Sequence, residues 1–424
     1  MTTSIGPVVA GLRIGASVGA ATIIGSVVLC VAFIPSDDWL SSRLPVAVDL
    51  SLIDRVRMGL GMAAMTFGAD ARSSVAGSGD LASVQVSLGA VPVTVLLIAL
   101  AVAVGGFLRA TASRHRTIRE QAVVATAAAA SAGGLIGLAA WPARFTVDVA
   151  TLDPRALGDL GLLSSGLSDV EVSLPPVQAA LHAGLAVLAG LGLALAVRRW
   201  LPVAGRSLTV LVWSLPVVGA LSVLTVLATA GHHGQDLQLW RLYALGLLGW
   251  GANLGLWSTA VGQGGRLGGS ASGSEELVAV LPGHETSWWE RLPGVIGDWD
   301  VPWGLWIAVI LAPLVFWAMS RRLVRSSTPE RYAADFAALL GAVAVLAPAL
   351  VWLSGIHLRV GVEAALYGRL DARLDGGTAL VETTLFAIGW LAVIGTVALI
   401  SVVPRTGPST PRSPQGSEEE PPTG

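Results

Sequence analysis

Apolar residues along this chain gather into long blocks separated by short polar gaps. Such blocks run near residues 14–34, 88–108, 122–141, 177–197, 208–230, 242–261, 302–319, 334–353 and 383–403. Each approaches the roughly 20 residues that an α-helix needs to cross a hydrocarbon core. A backbone in lipid must satisfy its own N–H and C=O groups, so helices are the expected form, and the ten-residue alternation of a membrane β-barrel is not evident. The pattern predicts an all-α fold, a polytopic membrane helical bundle of eight or nine transmembrane helices, with residues 1–403 as one domain. Residues 404–424, rich in Pro, Ser, Gly and Glu, read as a disordered tail.

Detail within the pattern adds three expectations. Small residues four apart (Gly15 and Gly19; Ala186, Gly190 and Ala194; Ala337 and Gly341) line single helix faces and permit close helix packing. Pro92, Pro216, Pro313 and Pro348 fall inside runs and predict kinks. In the gap after the first run, Leu52, Val56, Leu60, Ala63 and Phe67 recur at helical spacing over a stretch too short to span, which predicts an amphipathic helix on the membrane surface or over the bundle mouth. Gly262–Ser274 reads as a flexible Gly/Ser loop.

Composition narrows the class. Of 424 residues, 53% are hydrophobic and only 13% charged, and the mean hydropathy is +0.70; a soluble domain carries about 25% charged residues. The net charge of -2 implies no nucleic-acid partner. All 26 basic residues are arginine, a usage that points to a GC-rich bacterial source. The single cysteine, Cys30, lies in an apolar run and reads as a buried thiol, without disulfide or CxxC chemistry.

Those arginines orient the chain. Three gaps are dense in them: Arg109, Arg114, Arg116 and Arg119; Arg198, Arg199 and Arg206; and Arg321, Arg322, Arg325 and Arg331. Short Arg-rich gaps stay cytoplasmic. With both termini inside a bacterial cytoplasmic membrane, the first two clusters fall inside and the acidic gap 142–176 falls outside. Three runs separate the second cluster from the third, and three crossings would put the third outside. The weakest of the three, 242–261, contains Asn253 and four glycines. Either it enters and returns as a re-entrant or interfacial helix, or all nine runs cross and one cluster lies on the wrong side.

Candidate chemistry is sparse. Asp37 and Asp38 follow the first run, and Asp298 and Asp300 precede the seventh. The acidic pair at the head of the first outer gap resembles that of multi-pass glycosyltransferases using lipid-phosphate sugar donors. The resemblance implies a base or metal-holding role for Asp37 and Asp38, with Arg43, Arg55 and Arg57 nearest for the donor phosphate. Asn253 and Gln263 are the candidates to line a cavity within a broken helix. His182, His232, His233, His284 and His357 collect on the outer side but lack ligand spacing, so neither a metal nor a cofactor is assigned. Gly15–Gly19 matches GxSxG inside an apolar helix, His284–Glu285 lacks the second His of HExxH, and no Walker A loop exists.

The expected role is that of a non-enzymatic envelope accessory or structural component, with the lipid bilayer and other membrane proteins as partners. The alternatives are a carrier or channel for neutral or lipidic cargo, and a lipid-linked-sugar glycosyltransferase.

Overall fold

The computed structural model describes residues 5–43, 50–76, 82–112, 117–147, 170–229, 237–274, 287–290, 307–364 and 368–401. Its helices are α1 (Ile5–Phe33), α2 (Asp37–Arg43), α3 (Leu52–Met65), α4 (Val93–Ala110), α5 (Ile118–Ala140), α6 (Pro176–Trp200), α7 (Pro202–Thr229), α8 (Leu237–Gly262), α9 (Ile307–Ser326), α10 (Tyr332–Ser354) and α11 (Leu380–Ile400). A long helix occupies each of the nine apolar runs. Among the described residues, α1, α4, α5, α6, α7, α10 and α11 are long and apolar enough to cross a membrane, which suggests a membrane-embedded protein. The amphipathic helix expected after the first run is α3, started by a capping box in which the Ser51 hydroxyl and the Asp54 carboxylate each accept the other's backbone N–H.

The fold is not all-α. Eight strands form one antiparallel sheet: β1 (Ala71–Ala76), β2 (Ala82–Ala90), β3 (Phe145–Val147), β4 (Val170–Ser173), β5 (Leu267–Gly273), β6 (Ser287–Glu290), β7 (Ile356–Ala364) and β8 (Gly368–Thr378), in the order β3-β4-β1-β2-β7-β8-β5-β6. The alternation that makes them strands is short and sits in the gaps: Ile356, Leu358, Val360 and Val362 alternate with His357, Arg359, Gly361 and Glu363. The segment expected to be a flexible Gly/Ser loop is largely β5, hydrogen-bonded between β8 and β6, where its small residues let strands pack closely. Leu88–Ala90, read as the start of an apolar run, is the end of β2, and Pro92 caps α4 instead of interrupting it. Pro216, Pro313 and Pro348 do lie inside helices.

Every strand attaches to the same end of the bundle. β2 runs into α4, β4 into α6 and β8 into α11, while α10 runs into β7 and α8 into β5. The connections α4–α5, α6–α7 and α9–α10 lie at the other end, and these are the three arginine-rich gaps. The arginine clusters and the sheet thus occupy opposite poles.

The element order repeats. Residues 5–200 run long helix, helical segment at the strand pole, strand pair, two helices joined at the arginine pole, strand pair, helix. Residues 202–400 run through the same series, with α8 where the first half has α2 and α3. The sheet carries the same signature, because each half contributes its second strand pair followed by its first. Each half also has its own core. One joins Ile14, Phe107, Val124 and Leu191 of α1, α4, α5 and α6; the other joins Leu208, Phe316, Leu339 and Leu391 of α7, α9, α10 and α11. Parallel repeats of this kind are a common construction of membrane proteins. The halves meet through the β2–β7 ladder and through α8.

Both ends of α8 lie at the strand pole. Near its start, Gln238 Oε1 accepts the Ser36 N–H at the exit of α1, 3.0 Å away. Midway, Asn253 bonds Val93 N at the start of α4 and Ser354 O at the end of α10. Just past its end, the Arg266 carbonyl accepts the Ala379 N–H at the start of α11, and the Gln263 carbonyl accepts the indole N–H of Trp390, midway along α11. A helix of 26 residues, roughly 39 Å long, therefore lies across the strand-bearing ends of the others instead of running pole to pole.

Glycine permits the closest approaches. The Cβ of any residue at Gly255 would overlap the Leu215 carbonyl, and one at Gly219 the Gly251 carbonyl, where α7 crosses α8. Gly15 faces Ala128 of α5 in the same way, whereas Gly134 and Gly341 face open space. Gly255→Leu is expected to destabilise the protein by about 1–3 kcal/mol or more. Gly134→Ala should instead be neutral or stabilising by up to about 1 kcal/mol. Thermal unfolding in detergent measures both.

Candidate functional site

The sheet has one polar and one apolar face. Residues opposed across an antiparallel ladder project to the same side, so the register defines rows. Ser173, Arg72, Ser87, Arg359, Arg373 and Ser272 form one unbroken row over β4, β1, β2, β7, β8 and β5. Toward the tips of the strands the same face carries Glu171, Ser74, Gln85, Gly361 and Asp371; toward the bundle it carries Gly89, His357, Asp375 and Ser270. The other face carries Ala71, Leu88, Leu358, Leu374 and Ala271.

The polar rows line a cavity of about 750 Å³ that touches both Ser173 and Ser272, so this face is concave. Five strand spacings separate those serines, a trough on the order of 24 Å across. Its floor is kept low by glycine. A Cβ on Gly89 would come 2.6 Å from Asp70 Oδ1, and one on Gly361 would come 3.0 Å from Asp371 Oδ1.

On the same face, between the trough lining and the bundle, His357 Nδ1 lies 2.6 Å from Asp375 Oδ1, and Arg373 pairs with the other carboxylate oxygen at 2.8 Å. Partial burial works against the Asp375 charge, but the hydrogen bonds from His357 and Arg373 outweigh it and hold the carboxyl below the usual aspartate range. Arg72 donates to Gln178 at 2.9 Å. Arg359 stands directly across from Arg373, a like-charge cross-strand pair that costs stability. It makes no ion pair or hydrogen bond among the described residues, and it lies on the β2–β7 seam between the two halves.

The sequence-derived candidates sit elsewhere. Asp37 accepts from Arg55 at 2.8 Å, and the same guanidinium donates to the Ile34 and Pro35 carbonyls. That arrangement closes the turn from α1 into α2, and neither Asp37 nor Asp38 lines the trough. Asp298 and Asp300 lie outside the described residues. Asn253 is 3% exposed, with its amide committed to Val93 N, Val91 O and Ser354 O. Among the described residues, Gln263 Oε1 is buried without a hydrogen-bond partner, as are Thr378 Oγ1, Glu382 Oε2 and Thr383 Oγ1 at the neighbouring β8–α11 junction. His182 bonds the Gly68 carbonyl below the sheet. Sequence reasoning missed Arg72, Arg359 and Arg373. The available signal was arginine in gaps expected on the outer side, against the bias on which that expectation rests.

Comparison with known proteins returned no similarity: no protein-family model, curated protein or solved structure matches the chain.

The Asp375 interactions predict a pH signature. Because its folded-state pKa is depressed, its contribution to stability is present above the ordinary aspartate range and is lost as pH falls through the folded value. Asp375→Asn should lower the unfolding midpoint at pH 6, and the difference from the parent protein should shrink progressively below about pH 4. Thermal melts across that range measure it.

Proposed function

We propose that this protein is a non-enzymatic membrane component that holds a receptor sheet on the outer side of a bacterial cytoplasmic membrane, where the trough binds an elongated, acid-bearing ligand such as an anionic envelope glycan. In this reading eight helices cross the bilayer, four per half, and α8 lies in the outer interface. The three arginine clusters and both termini are cytoplasmic. What supports the orientation is the separation of the arginine clusters from the sheet: with α8 lying across one pole, an even number of crossings separates the second cluster from the third.

The observation that carries the ligand reading is Arg359. An unpaired guanidinium opposite another arginine, at the centre of a row of serine hydroxyls, is unfavourable in the empty protein and favourable once an anion bridges the two. Arginine binds carboxylate and phosphate through two parallel hydrogen bonds, and the serines offer both donors and acceptors to hydroxyl-rich chains. The one acid–base pair found on this face among the described residues, His357 with Asp375, is held by Arg373 and lies outside the cavity lining, while the polar side chains that line the trough are arginines, serines and Gln85 with two aspartates. That favours recognition over catalysis.

Two measurements test this. Single cysteines at Ser74→Cys and Ser326→Cys, in a Cys30→Ser background, should be labelled by a membrane-impermeant maleimide from opposite sides of intact cells, Ser74→Cys from outside. Labelling of both from one side would sink the orientation. Purified full-length protein should bind uronic-acid oligosaccharides more tightly than neutral oligosaccharides of equal length. Arg359→Gln should weaken the anionic binding about tenfold or more, the loss of a charge-assisted pair. Equal affinity for anionic and neutral chains would remove the ligand reading.

A further inference from the structure

A second cavity lies on the flank of the bundle, toward the arginine pole and away from the sheet. We propose that it is a binding site for one anionic membrane phospholipid, with an acyl chain in an apolar groove between α1, α4 and α7 and the headgroup phosphate between Arg13 and Arg109.

The groove encloses about 580 Å³. Its walls are almost wholly apolar, formed by Ile14 of α1, Ile98 and Val102 of α4, and Trp213 of α7. Along α4 its floor is Gly105 and Gly106. A Cβ at Gly105 would meet nothing within 4 Å, so the absence of a side chain there leaves open space, while Gly106 lets Ile14 come close. The groove opens sideways, since Ile98 is 52% and Trp213 60% exposed. A lateral apolar slot flanked by a large exposed aromatic ring suits a hydrocarbon chain arriving from the bilayer.

Its polar end is built from two cations. Arg13 lies within the apolar sequence of α1, and Arg109 in the last turn of α4. The packing of Ile14 on Gly106 brings them to the same level of the bundle. Neither arginine makes an ion pair or side-chain hydrogen bond among the described residues. Two unpaired guanidinium groups at the end of an apolar groove repel each other and are costly to keep beside hydrocarbon. A phosphodiester between them removes both penalties through paired hydrogen bonds. Basic pockets between transmembrane helices on the cytoplasmic side hold anionic headgroups in this way. The assignment rests on the helices lying in a bilayer but not on the ligand proposed for the sheet.

The test is lipid titration of full-length protein in detergent, read by native mass spectrometry, with dioleoylphosphatidylglycerol and dioleoylphosphatidylcholine as probes. The phosphatidylglycerol adduct should form about tenfold more tightly, and Arg13→Gln/Arg109→Gln should abolish that preference while leaving the weak phosphatidylcholine adduct unchanged. Gly105→Leu, which fills the slot and keeps both charges, should weaken the phosphatidylglycerol adduct by a similar factor. Arg198→Gln/Arg199→Gln, elsewhere at the same pole, should leave it intact. Equal affinity for the two lipids would overturn the proposal. So would an undiminished phosphatidylglycerol adduct in either groove variant, equal loss in the Arg198/Arg199 variant, or displacement of the lipid by inorganic phosphate alone. These outcomes are independent of glycan binding at the trough, so the two assignments fail separately.

Discussion

One carboxamide ties the two halves of this fold together where the helices meet the sheet. Asn253 is almost fully buried in the middle of α8, yet its oxygen accepts the first N–H of α4 and its nitrogen donates to the last carbonyls before α4 and at the end of α10. Those partners belong to different halves of the repeat and stand where β2 enters and β7 leaves the bundle. Helix termini at that depth have N–H and C=O groups with no partner inside their own helix, and Pro92 leaves α4 without a side-chain cap of its own. The Asn253 amide satisfies two of these groups, Val93 N–H and Ser354 C=O, together with the Val91 carbonyl in the link from β2 to α4. It thereby fixes α8 against both halves and sets the height at which the β2–β7 ladder begins. The adjacent Thr94 hydroxyl accepts the Ala252 N–H at 2.8 Å and ties the same turn of α8 to α4.

Because that junction is fixed, the seam of the sheet is fixed too. β2 and β7 are registered over nine residue pairs, from Ala82 with Ala364 to Ala90 with Ile356. In a sheet of period two, a slip of one residue would turn every side chain to the opposite face. The row that places Arg359 beside Arg373 and Ser87 therefore depends on the depth at which α4 and α10 end. The trough is a consequence of helix packing and not a separate domain resting on a bundle.

The bundle was legible in the sequence and the sheet was not, for a physical reason. Twenty apolar residues in lipid have one stable conformation, so the runs identify helices without reference to partners. A strand such as β4, four residues from Val170 to Ser173, carries almost no intrinsic preference and forms because β1 and β3 lie beside it. Glycine-rich β5 reads as a loop in isolation and becomes a strand only between β8 and β6. The repeat was hidden for a related reason: α3 and α8 hold corresponding places in the two halves but differ in length, 14 residues against 26, and in amphipathicity. The weakness of the run at 242–261 was visible. Its asparagine and glycines are the residues that let α8 lie across the other helices, with Gly251 and Gly255 against α7 and Asn253 capping α4. For Asn253, the residue type pointed to buried polar work at this depth, and the structure gives that work to the backbone.

The same distinction separates the two arginine populations. Arg198, Arg199 and Arg325 lie in the last turns of their helices, where cations complement the helix dipole and need no other partner. Arg359 has no such reason to be where it is. It interrupts a strand at the centre of the sheet, faces a second arginine and stands at the far pole from the arginine clusters. Arg373 can be explained by Asp375 and Arg72 by Gln178, but Arg359 has no comparable partner among the described residues. A position that opposes both local electrostatics and the local arginine bias is the reason for proposing a ligand there, and the concave polar face around it has room for one.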